Sequence, residues 1–142
     1  MVFTSTRFKS CLAGLMLSAV SIESSFADRG YICEVKSVVR INDSGTFSTV
    51  QGVKELYLGS KFSVNRISGE VVGFPLSSEH FNVSLLDIGS SEWGFKALGW
   101  NKKRSSHEWV KYITVKEYSE TILKPFWGHD DLHIYGGLCE NI

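Results

Sequence analysis

Four side chains able to bind a metal ion fall within five residues, His129-Asp130-Asp131-Leu132-His133. In a tight turn His129 and Asp131 could share an ion, whereas His133 belongs to the strand that follows. Metal ligands need fixed geometry, and an aspartate-rich turn solvates itself, so the segment reads as a hairpin turn. No metal or other cofactor is expected. His107-Glu108-Trp109-Val110-Lys111 starts like a zinc-protease helix motif, but Lys111 stands where the second histidine belongs. The stretch also reads as strand, which would place its first and fifth residues roughly 13 Å apart. There is no Gly-x-Ser-x-Gly elbow and no phosphate-cradling glycine loop between a strand and a helix. Nothing in the spacing selects Asp130 with Glu140 or Glu92 as an acid/base pair. No catalytic residue is assigned, and an enzyme is the lesser expectation.

Binding chemistry is better represented. Lys102-Lys103-Arg104 forms a cationic loop tip between Trp100 and Trp109, with His107 beside it. Three adjacent cations framed by aromatics suit an envelope protein, a lipid head group or a glycan. The same residues also fit an ordinary polar hairpin loop, since exposed loops are usually charged. Lys+Arg and Asp+Glu both number 15, so the chain lacks the basic excess of a general nucleic-acid binder. Trp93 and Trp127 read as packing material for the core.

The elements that must position these residues begin after residue 27. Arg7 and Lys9 precede an uncharged, mostly apolar run from Cys11 to Ile22, and Ser25-Phe26-Ala27 follows. That order is a secretory signal peptide, cleaved after Ala27, and it predicts a periplasmic or secreted destination. A cut after Ser21 is the alternative. Residues 28–142 would form one domain, with no apolar run long enough to span a membrane. With Cys11 in the signal, Cys33 and Cys139 remain. In an oxidising compartment a lone pair is most simply a disulfide, here tying together the two ends of the domain.

Between the cysteines the chain reads as strands separated by polar turns. Tyr31, Cys33, Val35, Ser37, Val39 and Ile41 alternate with polar neighbours, which predicts a half-buried strand with the odd positions inward. Asn42-Asp43-Ser44-Gly45 is a turn, and Thr46 to Val50 returns antiparallel. Leu56 to Leu58, Phe62 to Arg66, Val71-Val72, Phe81 to Ile88 and Trp93 to Trp100 read as further strands. So do His107 to Tyr118, Phe126-Trp127 and Leu132 to Cys139. Only Ser77 to Asp87 could hide a short helix. Gly69 suits a left-handed turn, and Gly136-Gly137 suggests a bulge or close backbone approach where Cys139 meets Cys33. The expected fold is all-β: one antiparallel meander forming a small barrel or sandwich, closed by a terminal disulfide.

Tyr31-Ile32-Cys33, the segment Gly59-Ser60-Lys61-Phe62-Ser63-Val64-Asn65-Arg66-Ile67-Ser68-Gly69 and the tail Gly136-Gly137-Leu138-Cys139 together resemble a group of short secreted proteobacterial proteins of unknown function. In that group a Gly-x-x-Phe-x-Val-Asp-Arg-x-x-Gly hairpin lies between two terminal cysteines. Here Asn65 replaces the aspartate, which removes an Asp-Arg ion pair. The resemblance implies a periplasmic home and no known activity. The expectation is an exported, non-catalytic binding module of the envelope: a ligand carrier, an inhibitor or an accessory subunit. The alternative is a small hydrolase acting on envelope polymers, with carboxylates and a metal near Asp130.

Overall fold

A computed structural model describes residues 30–49, 52–101 and 110–142. The expected signal segment 1–27 and most of the cationic loop, residues 102–109, lie outside the described residues. The described strands are β1 (Gly30–Ile41), β2 (Phe47–Ser48), β3 (Lys61–Asn65), β4 (Val71–Val72), β5 (Phe81–Ile88), β6 (Phe95–Asn101), β7 (Val110–Val115), β8 (Lys124–His129) and β9 (His133–Asn141). The described residues hold a single short helix, α1, at Val53–Tyr57. All described strand pairings are antiparallel, in the order β4-β3-β1-β9-β8-β7-β6-β5, with β2 paired to β1.

Followed around its curve, that order is an up-and-down meander. The β1–β9 pairing joins the chain ends, and the sheet is open between β4 and β5. The result is a half-barrel whose two edges belong to consecutive strands. Cys33 and Cys139 are direct partners in the β1–β9 register and form a disulfide, with Cα atoms 3.9 Å apart. The bond lies inside a core of Tyr31, Val35, Phe62, Phe95, Phe126 and Tyr135 among others. Alternation along each strand supplies this core: Phe62 and Val64 on β3, Phe95 and Ala97 on β6, Ile113 and Val115 on β7.

The strand reading of β1 holds for Tyr31, Cys33 and Val35 but not beyond. The register slips between Val35 and Ser37, opposite Gly137 and Gly136, so Val38 turns inward instead of Val39. A bulge inserts one residue and inverts the alternation after it. Leu56 to Leu58 is not a strand. Gly52 and Gly59, at φ 86° and 78°, turn the chain on either side of α1, leaving Leu56 exposed and Tyr57 against the core. Ser77 to Asp87 holds no helix; it contains most of β5. Trp93 and Trp127 are not core either. Trp93 lies in the turn before β6 and Trp127 on the outer face of β8, 62% and 42% exposed.

The open seam is bridged by side chains. Gly69, at φ 78°, brings the β3–β4 turn so close to β5 and β6 that a Cβ there would lie 3.1 Å from Ala97 Cβ and 3.2 Å from Val83 Cγ1. Arg66 reaches across from the same turn. Its Nε donates to Ile88 O at 2.7 Å, its Nη2 to Gly89 O at 3.0 Å, and its Nη1 lies 3.8 Å from Glu117 Oε1. The Tyr31 hydroxyl donates to the same carboxylate oxygen. Asn65 serves the turn instead, where its Oδ1 accepts from Ile67 N and Ser68 N and fixes the chain reversal. Arg66 thus finds its carboxylate on Glu117, not on its neighbour.

Candidate functional site

The half-barrel is closed at the Arg66–Glu117 end and indented at the other. At the indented end lies a cleft of about 560 Å³, lined by residues that include Tyr57, Phe74, Ser77, Glu79, Lys111, Asp130 and Tyr135. Each side chain arrives there for a local reason. Lys111 has the same parity on β7 as inward-facing Ile113 and Val115, and it lies near the start of the strand, so it enters the interior at the mouth. Tyr135 follows the same rule on β9, two residues after buried His133. Tyr57 ends α1, whose last turn closes through Leu58 N to Lys54 O at 2.9 Å. Phe74 precedes a cis Pro75 in the link that carries the chain from β4 to β5.

Asp130 anchors the mouth. It sits in the β8–β9 turn, where Oδ1 accepts from Leu132 N at 2.9 Å and His133 N at 2.8 Å. Its Oδ2 accepts from the Tyr135 hydroxyl at 2.6 Å. Three hydrogen bonds commit this carboxylate to holding the turn and the tyrosine. His133 Nδ1 lies 3.5 Å from Asp130 Oδ1 but makes no aligned hydrogen bond, and it is buried.

Burial first, then the hydrogen bond to Asp130 and its charge, pushes the Tyr135 phenol well above its ordinary 10.0. The neutral phenol is therefore favoured in the folded protein. Its contribution to stability is full below about pH 10 and is lost as pH rises above it, because there only the unfolded chain gives up the proton. A spectrophotometric titration checks this. Tyr135→Phe should leave the phenolate signal of the native protein unchanged and shrink the denatured step near pH 10 by one tyrosine. A native signal that shrinks as well would contradict the assignment.

Lys111 supplies the cation of the cleft. Its Nζ donates to Ser77 O at 2.8 Å and sits 4.7 Å from the centre of the Phe81 ring. Desolvation lowers its pKa from 10.5, opposed by the charge of Asp130. Facing it is an aromatic wall. The Tyr57 and Phe74 rings stack at 4.8 Å and 19°, and Tyr57 also packs 5.3 Å from Tyr135 and 5.2 Å from His133.

Of the binding-loop and metal candidates read from sequence, the described ones, Trp100, His129 and Asp131, do not line this cleft. Trp100 is on the outer face of β6, 42% exposed; Lys102, Lys103, Arg104, His107 and Trp109 lie outside the described residues. His129 ends β8 on the outer face, with its ring 5.9 Å from Tyr112 and 6.4 Å from Trp127. Asp131 accepts from Val110 N at 3.1 Å and shares a second surface cleft of about 540 Å³ with His129, Arg40 and Asp43. Among the described residues no three His, Cys, Asp or Glu side chains converge as a metal site. No described helix is long and apolar enough to cross a membrane. Sequence reasoning missed the mouth cleft. Tyr57, Phe74, Lys111 and Tyr135 are spread over the chain with no motif, and only the inward parity of Lys111 among apolar β7 neighbours could have signalled it.

Protein-family models, curated proteins and solved structures were each compared with the chain, and none matches.

Proposed function

We propose that the protein is an exported, non-catalytic binding module of the cell envelope, and that it takes a small ligand in the mouth of its half-barrel. The observation that carries this reading is the cleft itself. A stacked aromatic wall, Tyr57 on Phe74, faces a half-buried ammonium, Lys111, across a volume within the roughly 300–1,000 Å³ of small-molecule sites. Mouths of β-barrels are a preferred place for such sites. The non-catalytic part is supported by Asp130, an acid of the cleft that already accepts three hydrogen bonds, from its own turn and from Tyr135. Export is supported by the order of charge and hydropathy in residues 1–27. The bonded cysteine pair is compatible with an oxidising compartment.

A thermal-shift screen of the folded protein against the small-molecule fraction of the envelope tests the reading. A component should raise Tm by several degrees, since a ligand at about 100 times its Kd adds about 2.7 kcal/mol. The rise should vanish in a Tyr57→Ala/Phe74→Ala variant. A component that stabilises both proteins equally, or the absence of any stabilising component, would count against the cleft.

A further inference from the structure

We infer that the ligand of the mouth cleft is a neutral saccharide. This rests on the binding reading above and names its ligand. The charges lining the cleft decide the class. The lining mixes signs, one ammonium on Lys111 with the carboxylates of Asp130 and Glu79, and Glu79 at the rim is exposed with no ion-pair partner among the described residues. An anionic ligand would meet the carboxylates of Glu79 and Asp130. A cationic ligand would meet the Lys111 ammonium at the wall of the cleft.

A purely apolar ligand fits no better. An ammonium has three donors, and Ser77 O takes one from Lys111. Stripping water from the other two without replacing their acceptors is costly. A hydroxyl-rich ring meets every demand at once. Hydroxyls donate as well as accept, so they can accept from Lys111 and donate to Glu79 and Ser77. The C–H face of a sugar ring then lies on Phe74, which is 46% exposed and backed by Tyr57.

The test is calorimetric titration of the full folded protein with chitotetraose, tetragalacturonate and laurate. Chitotetraose should bind, and the acidic tetragalacturonate at least about ten-fold more weakly, the effect of one unscreened like charge. Glu79→Gln should narrow that gap. Phe74→Ala removes a half-exposed ring without opening the core and should weaken chitotetraose about ten-fold. Tetragalacturonate binding as tightly as chitotetraose would overturn the inference. Laurate binding alone, weakened by Tyr57→Ala, would overturn the saccharide and leave the cleft standing. No binding of any probe, together with a thermal screen that finds no ligand, would remove both.

Discussion

Replacing Cys33 and Cys139 together by alanine should lower the unfolding free energy by about 4–5 kcal/mol. The bond joins residues 106 apart in sequence, and closing a loop of that length removes about 4.7 kcal/mol of unfolded-chain entropy in the chain-entropy treatment. A domain of this size has a total of roughly 5–15 kcal/mol, so the loss is a large share. Its position sharpens the effect. The β1–β9 pairing is the one that joins the chain ends, and without the bond the half-barrel relies there on backbone hydrogen bonds and packing. Urea unfolding with and without reductant checks this, with the midpoint falling by roughly a third or more in the reduced protein. An unchanged midpoint would show that the ends are held by packing and not by the covalent tie. Thiol titration under denaturing conditions should find neither Cys33 nor Cys139 free.

Gly137→Ala should cost about 3 kcal/mol or more, from the opposite cause: overpacking. A Cβ at Gly137 would lie 2.0 Å from Glu34 O, 3.0 Å from Glu34 C and 2.7 Å from Phe126 Cε1. Two of those atoms are backbone of the partner strand, so relief requires moving β1 away from β9 where the bulge and the disulfide both sit. Gly136→Ala is the internal control. Its Cβ would press mainly on Ser37 Oγ at 2.8 Å, a side chain that can rotate away, so the cost should stay near about 1 kcal/mol. Comparable losses for both glycines would contradict the close approach of β1 at Gly137.

The pairing of these two glycines with the terminal cysteines was legible from sequence because each leaves a local mark. Gly136-Gly137 interrupts an apolar strand, and Cys33 and Cys139 are the two cysteines left once the expected signal segment is set aside. Most strands were legible for the same reason: Asn42 to Gly45, Ile67 to Glu70 and Gly89 to Glu92 are turn chemistry, and turns separate strands. What left no mark is of two kinds. The bulge at Lys36 flips Val38 inward, and nothing in residues 35–39 distinguishes that phase from the regular one. Helix α1 has five residues, too few for a 3.6-residue period to show, so Tyr57 reads as part of a strand. The mouth cleft draws on α1, the β4–β5 link, β7, the β8–β9 turn and β9. Only the closure of the sheet brings them together, and closure is a property of pairing between distant segments.

The seam between β4 and β5 follows from the same closure. β4 pairs over two residues and cannot extend a ladder along the eight residues of β5. Arg66 takes over that role at one end by donating to Ile88 O and Gly89 O. Ser78 does so nearer the mouth, with its Oγ accepting from Val71 N at 2.9 Å and its N donating to Val71 O at 2.8 Å. The link between these strands carries Phe74, Ser77 and Glu79 into the cleft. The place where the barrel fails to close is therefore next to the cleft proposed as the binding site.

The most direct measurement is an amide chemical-shift map of the folded protein, titrated with the small-molecule fraction of the envelope. Shifts concentrated at Tyr57, Gly73, Phe74, Ser77, Lys111 and Tyr135 are the predicted result. Shifts confined to the outer face around Leu98, Trp100 and Trp127, with the mouth unmoved, would contradict it.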